Sequence, residues 1–342
     1  MHFTKYILSL HTNMKVVVDD KIPYIRETLA TLADEVVYLK GSEIGPEDVM
    51  DADALIVRTR TRCDKQLLQD SKVQFVGTAT IGYDHLDTKW LEQHGIEWTN
   101  CPGCNSGSVA QYVESVLLLL QQDGCSLQQM TLGVIGCGHV GSKVRRVGER
   151  LGMRVLVNDP PLSHADFVSL DVIERQADVI TFHVPLDETT HYLADAAFFN
   201  RLEKQPVIIN SSRGGVVCEQ ALLQALDEGK VSRAVIDTWE HEPAISRTLL
   251  YKTFIGTPHI AGYSADGKVN ADNMVVAAFC RHFSLPVPAF IKAPKLPADF
   301  KYTGHPLELY NAMDDSQKLK THPELFEELR GDYPLRREKF ET

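Results

Sequence analysis

The sequence predicts an α/β protein built from two doubly wound parallel-sheet domains around a cleft, with a short C-terminal appendage. Apolar strand-like runs alternate with amphipathic helical stretches along most of the chain. The alternation falls into two successive βα series, and a glycine-rich strand-to-helix turn opens the second. A length of 342 residues exceeds one ordinary domain and suits two.

In the first series, strands are expected at residues 15–18, 35–39, 54–57, 74–76 and 96–99, with helices at 22–32 and 88–94. A long apolar helix over 106–122 leads into the second series, with strands at 131–135, 154–158, 179–182, 207–210 and 234–237. A helix over 264–283 follows and ends near the turn-forming Ser284-Leu285-Pro286. Beyond it the composition shifts to Pro, Lys, Asp and Glu, with one further helix expected near 323–329. The expected division assigns 14–105 and 258–284 to a discontinuous substrate-binding domain. Residues 106–257 form the nucleotide-binding domain, and 285–342 the C-terminal segment.

Hydrophobic residues make up 44% and charged residues 24%, the balance of a globular protein. A net charge of −11 argues against nucleic acid or an anionic membrane as partner, yet permits a small anionic metabolite in a locally basic site. No apolar run approaches the roughly 20 residues that span a bilayer; the longest, over 113–120, contains Glu114 and Ser115. Residues 1–13 hold a lone Lys5 and only Tyr6, Ile7 and Leu8 as consecutive apolar residues. They lack a signal-peptide pattern and read as an extension or a misassigned start before Met14. Seven scattered cysteines form no disulfide framework, so a reducing cytoplasm is expected. Cys101-Pro-Gly-Cys104 has redox spacing, but one isolated pair reads as a tight turn carrying two reduced thiols.

The run from Thr131 to Gly141 is a strand followed by Gly136-x-Gly138-x-x-Gly141, and Val140, Val144, Val147 and Leu151 then recur at helical spacing. Gly136 permits a tight turn, Gly138 lets backbone N–H groups approach a pyrophosphate, and Gly141 brings helix and strand together. A second strand ends in Asp159, eighteen residues past Gly141. A carboxylate there accepts hydrogen bonds from the ribose hydroxyls of NAD and repels the 2′-phosphate of NADP. NAD is therefore the expected cofactor, and no metal is expected.

Three residues follow later strands: Arg213 in Ser-Arg-Gly-Gly, Glu242 in Asp-Thr-Trp-Glu-His-Glu-Pro, and His259 in Thr-Pro-His-Ile-Ala-Gly. Oxidising an alcohol by hydride transfer needs a base for the hydroxyl proton, which histidine supplies. A carboxylate beside it orients the ring and favours the imidazolium. An arginine clamps a substrate carboxylate at two points. Each is unremarkable alone, since loop arginines and glutamates are usually solvated.

Taken in order with the glycine motif, these segments resemble the D-isomer-specific 2-hydroxy acid dehydrogenases over about residues 15–283. The resemblance implies two Rossmann-like domains, a catalytic His259 paired with Glu242, and Arg213 on the substrate carboxylate. A narrower likeness rests on Phe75-Val-Gly-Thr-Ala-Thr-Ile-Gly-Tyr-Asp-His, Cys101-Pro-Gly-Cys-Asn, Asn158-Asp-Pro-Pro and His259-Ile-Ala-Gly-Tyr-Ser-Ala-Asp-Gly-Lys. It points to the branch that oxidises a four-carbon phosphorylated hydroxy acid in pyridoxal 5′-phosphate biosynthesis. That likeness implies substrate contacts at Thr59, Thr80 and Tyr263. It implies NAD contacts at Asp159, Val184, Ser211, Ser212, Arg213, Asp237 and Gly262. It also implies a homodimer assembled through the C-terminal segment, although the family's dimerisation domain is longer than 285–342.

Arg58, Arg60 and Arg62 alternate, which would set all three on one side if the strand continued and offer Arg58 and Arg60 to a substrate phosphate. Dehydrogenases of 3-phosphoglycerate, glycerate or hydroxypyruvate share the same motifs and stand as alternatives. So does a non-catalytic NAD-sensing scaffold or corepressor on this fold.

Overall fold

A computed structural model describes residues 13–162 and 164–340. The N-terminal extension expected from the sequence lies outside the described residues, Asn13 apart. The chain divides into two compact units: one holds residues 13–104 and Lys268–Ala293, the other Asn105–Gly267 and the C-terminal segment from Pro294.

The first unit contains β1 (Lys15–Asp19), β2 (Glu35–Leu39), β3 (Ala54–Val57), β4 (Phe75–Thr78) and β5 (Glu97–Thr99), all parallel in the order β2-β1-β3-β4-β5. Its central strands are mainly apolar, Val16–Val18, Ala54–Val57 and Phe75–Val76, because both of their faces are covered. Val16, Val18, Ala54, Ile56 and Phe75 join one core, with Val275 and Phe279 of the helix Ala265–His282. Val17, Leu55, Val57 and Val76 join the core on the other side. Gly77 permits that helix to approach, since a Cβ there would lie 2.8 Å from Val275 Cγ1.

The second unit contains β6 (Thr131–Ile135), β7 (Arg154–Asn158), β8 (Val179–Phe182), β9 (Val207–Asn210), β10 (Arg233–Ile236) and β11 (Ile255–Gly256). They run parallel in the order β11-β10-β9-β8-β6-β7. The order reverses beside β6 here and beside β1 in the first unit, so each sheet opens a crevice at the carboxyl ends of its central strands. The helix Ser106–Gln122 packs on the second sheet through Tyr112, Val113, Val116 and Leu120.

The structure differs from the sequence expectation in several places. Residues 258–267 stay with the second unit, because buried Asp237 holds Ile260 and Ala261 by their N–H groups. The segment from Pro294 is not a separate appendage; it belongs to the second unit. Tyr310 and Ala312 enter one of that unit's cores, and Leu319 and Phe326 the other. A helix, Ala312–Thr321, stands where none was expected, capped by Asn311 and disguised by its polar face. The helix expected over 22–32 shrinks to Arg26–Leu29, since Pro23 cannot donate within it and Thr31 and Leu32 turn away. Finally β3 ends at Val57 and the chain turns, so the arginine alternation does not persist. Arg58 Nε lies 3.3 Å from Asp19, whereas Arg62 Nε lies 2.7 Å from Asp64.

Arg336 ties the C-terminal segment down. Only 8% exposed, it donates to the carbonyls of Ile260 (3.1 Å), Ala261 (2.7 Å) and Tyr263 (2.9 Å) and to Gln111 Oε1 (2.9 Å). Its guanidinium lies 3.8 Å from the ring centre of Tyr310. Arg336→Leu strands those carbonyls and should cost about 3–5 kcal/mol, read as a fall in thermal midpoint. A fall worth less than about 1 kcal/mol would mean that water replaces the guanidinium.

Asp272, on the Ala265–His282 helix, is 1% exposed and accepts from Tyr24 N at 3.1 Å. Burial pushes its carboxyl up to about 7, against the Tyr24 N–H and Lys268. A raised folded-state pKa favours the protonated fold, so the contribution to stability is full below the unfolded value and is lost as pH rises toward 7. Asp272→Asn keeps the acceptor without the charge. It should raise the thermal midpoint more at pH 8 than at pH 5; equal gains at both would exclude the ionisation of Asp272 as the cause.

Candidate active site

The glycine turn after β6 has the geometry a diphosphate requires. Gly136 sits at φ +86°, and a Cβ on it would meet His183 O at 2.5 Å and Val184 Cγ1 at 2.8 Å. Gly141 opens the helix Gly141–Arg150, where a Cβ would fall 1.9 Å from Gly136 O. Around Gly138 there is open space, so its backbone can face a ligand. Asp159 follows β7 and accepts from Cys137 N at 2.6 Å, which holds the acid beside the turn. Ser211 Oγ, after β9, is buried without a hydrogen-bond partner, and so is Thr238 Oγ1 after β10. Open glycine backbone, an adjacent carboxylate and unpartnered hydroxyls suit a dinucleotide.

The loops after β9, β10 and β11 carry Arg213, Glu242 and His259, and Trp239 joins all three. Its N–H donates to Glu242 Oε1 at 3.0 Å, and its indole N–H to Thr257 O at 2.9 Å. Gly214, next to Arg213, packs so tightly on Trp239 that a Cβ would lie 2.1 Å from Trp239 O. Asn210 organises the Arg213 loop, accepting from Ser212 N and Oγ and donating to Arg213 O. Arg213 Nη1 donates to Ser212 O at 2.8 Å, with no other hydrogen bond from this side chain among the described residues.

His259 Nδ1 lies 2.8 Å from Glu242 Oε2, with both side chains partly exposed. Burial raises the Glu242 carboxyl, but the hydrogen bond and charge of His259, the Trp239 N–H and Arg330 outweigh it. The net result lies below the usual glutamate range, so Glu242 is an anion. A carboxylate accepting at Nδ1 fixes the tautomer and leaves Nε2 for proton exchange. His259 itself adopts the left-handed conformation, φ +56°, between buried Pro258 and Ile260.

Asp237, expected as a cofactor contact, is 1% exposed and engaged elsewhere. It accepts from Thr257 Oγ1 (2.6 Å), Ile260 N (2.8 Å) and Ala261 N (3.0 Å), bracketing His259. Gly262 admits Asn105: a Cβ there would lie 2.2 Å from Asn105 Nδ2. The Tyr263 ring packs edge-on against Tyr333, and its carbonyl accepts from Arg336. In the first unit Thr59 and Arg60 are exposed in the turn after β3. Thr80 is wired through Thr78 (2.7 Å) to His85, whose Nε2 lies 3.0 Å from Thr78 Oγ1.

Several contributors were invisible in the sequence: Trp239 as the stitch, Asp237 as the loop's anchor, and Arg330 and Arg336 from a Pro- and charge-rich tail. Among the described residues, no three His, Cys, Asp or Glu side chains cluster as metal ligands, and no helix is long and apolar enough to cross a membrane. No disulfide joins the seven cysteines; Cys101 and Cys104 are buried, and burial pushes the Cys101 thiol far up.

Comparison with known proteins agrees with this geometry. Residues 118–261 match the D-isomer specific 2-hydroxyacid dehydrogenase NAD binding domain. An erythronate-4-phosphate dehydrogenase of Bacteroides fragilis is 54% identical, covering 95% of this chain and 97% of its own. The Edwardsiella ictaluri protein of the same name is 40% identical, over 95% and 93%. The NAD+-bound 3-phosphoglycerate dehydrogenase of Entamoeba histolytica superposes with a TM-score of 0.70 at 26% identity, over 83% of this chain and 100% of that one. The chain is thus an NAD-dependent oxidoreductase and belongs to the erythronate-4-phosphate dehydrogenase family.

Proposed function

We propose that this chain oxidises 4-phospho-D-erythronate at C2 to (R)-3-hydroxy-2-oxo-4-phosphooxybutanoate, a step toward pyridoxal 5′-phosphate. The observation that carries the proposal is the His259–Glu242 pair, with Nδ1 2.8 Å from Oε2, on loops joined by Trp239 to the Arg213 loop. Near full-length likeness to erythronate-4-phosphate dehydrogenases supplies the substrate.

NAD, when bound, would supply the hydride acceptor for C2. Gly136, Gly138 and Gly141 would cradle its diphosphate, Asp159 would meet its ribose, and Val184, Ser211, Ser212 and Gly262 would line its path. His259 Nε2 takes the C2 hydroxyl proton, while Glu242 stabilises the resulting imidazolium. Arg213 binds the substrate carboxylate. Tyr263 in the second unit, and Thr59, Thr80, Arg58 and Arg60 in the first, are proposed for the hydroxyls and phosphate. Among these, Thr59 and Arg60 lie exposed in the turn after β3, while Arg58 pairs with Asp19. The protein is proposed to work in the cytoplasm as a homodimer, for which exposed Val287 and Phe290 offer apolar surface.

His259→Asn should lower kcat by about 10²–10⁴-fold while NADH binding, followed by fluorescence, stays intact. Glu242→Gln should retain more activity, with the acid limb of the pH–rate profile moved to lower pH. An unmoved limb would remove Glu242 from that role. Substrate choice is tested by kcat/KM for 4-phosphoerythronate, erythronate, 3-phosphoglycerate and glycerate under one set of conditions. The first should exceed erythronate by orders of magnitude, because charge-assisted phosphate contacts are worth about 1.5–3 kcal/mol each. Preference for glycerate or 3-phosphoglycerate would keep the dehydrogenase and overturn the substrate.

A further inference from the structure

We infer that Arg330, supplied by the C-terminal segment, is a positioning residue of the reaction centre that holds Glu242 toward His259. The inference rests on the His259–Glu242 pair acting as proposed above. Arg330 lies in the helix Phe326–Gly331, and its Nη1 sits 3.3 Å from Glu242 Oε2. That oxygen is the one 2.8 Å from His259 Nδ1, while Oε1 accepts from Trp239 N. The carboxylate is therefore held at both oxygens and cannot swing away from the imidazole. Glu327, one turn earlier, stands 3.9 Å from Arg330 Nη1.

The arrangement has a consequence for proton transfer. A carboxylate alone beside His259 stabilises the imidazolium and would hold the ring protonated at pH values where oxidation needs a neutral base. A cation on the shared oxygen draws off part of that charge and opposes a second positive charge nearby. Among the described residues, Glu242 and Asp237 couple to His259, and Arg330 acts on Glu242, with Glu327 behind Arg330 and Glu219 beside Glu242. Arg330 thus tempers Glu242, and its removal should move the His259 titration to higher pH, opposite to the effect of Glu242→Gln.

The test uses Arg330→Met and Arg330→Lys in the full chain. Three quantities are read: the His259 ring titration by NMR, the pH profile of kcat/KM for 4-phosphoerythronate, and NADH affinity. Arg330→Met should move both the ring titration and the acid limb upward and lower kcat at neutral pH about tenfold or more, the loss expected of one charge-assisted hydrogen bond. NADH affinity should not change, and Arg330→Lys should fall between, having charge without the two-point fork. If the methionine variant does not fold, the lysine variant carries the test by the same readouts. A titration and profile like those of the unaltered protein overturn the inference, as does loss of activity that merely tracks loss of NADH binding. If the unaltered protein turns over no hydroxy acid, the functional proposal fails. The ring titration then still decides whether Arg330 couples to His259.

Discussion

The active-site geometry hangs on one buried carboxylate. Asp237 ends the strand register of β10 and accepts from Thr257 Oγ1, Ile260 N and Ala261 N, fixing the chain on both sides of His259. Thr257 Oγ1, donating to Asp237, receives the Tyr112 hydroxyl at 2.9 Å, so the anchor reaches the long helix Ser106–Gln122. With two flanking amides and a flanking hydroxyl satisfied, the loop can hold His259 at φ +56°, a conformation that is uncommon outside glycine. The fixed backbone then aims Nδ1 at Glu242. Remove the anchor and two buried N–H groups lose their acceptor, which makes both stability and imidazole placement depend on the same side chain.

A second constraint acts from the opposite end of the chain. Arg336 gathers the carbonyls of Ile260, Ala261 and Tyr263, while Asp237 gathers the N–H groups of Ile260 and Ala261. The loop after His259 is therefore held between a buried anion on its donors and a buried cation on its acceptors. Burying either charge alone would be costly, and each is tolerated because the peptide groups it meets are themselves buried and in need of partners. The tail is accordingly part of the nucleotide-binding unit's core, and the site is incomplete without it.

Local pattern made much of this legible in the sequence. Six strands, at 35–39, 54–57, 131–135, 154–158, 179–182 and 207–210, keep their expected bounds because continuous apolar runs between turn residues have few alternatives. The glycine turn and the His259–Glu242 juxtaposition were also readable, since their motifs recur in a recognisable order along the chain. The short β11 was not, having only Ile255 and Gly256 in the sheet. Helix Ala312–Thr321 was hidden because only Ala312, Asp315, Ser316 and Leu319 are buried in it, two of them polar. Arg336 and Arg330 look like ordinary solvated charges until tertiary structure surrounds them. The arginine run after β3 misled in the opposite sense: alternation suggested a shared face, but the chain turns and Asp19 and Asp64 take two of the three.

The pairing of Arg58 with Asp19 carries its own logic. Asp19 ends β1 at the point where the first sheet's strand order reverses, and its side chain is wholly buried. Gly41 lies so close that a Cβ there would come within 2.4 Å of Asp19 Oδ2. A buried carboxylate is unfavourable unless a cation neutralises it. Arg58 supplies that cation at 3.3 Å, so the pair presents a polar but nearly uncharged floor beside the exposed turn that follows. Thr59 and Arg60 occupy that turn, where a hydroxyl and a guanidinium can adapt to a phosphate without the desolvation that a buried charge requires.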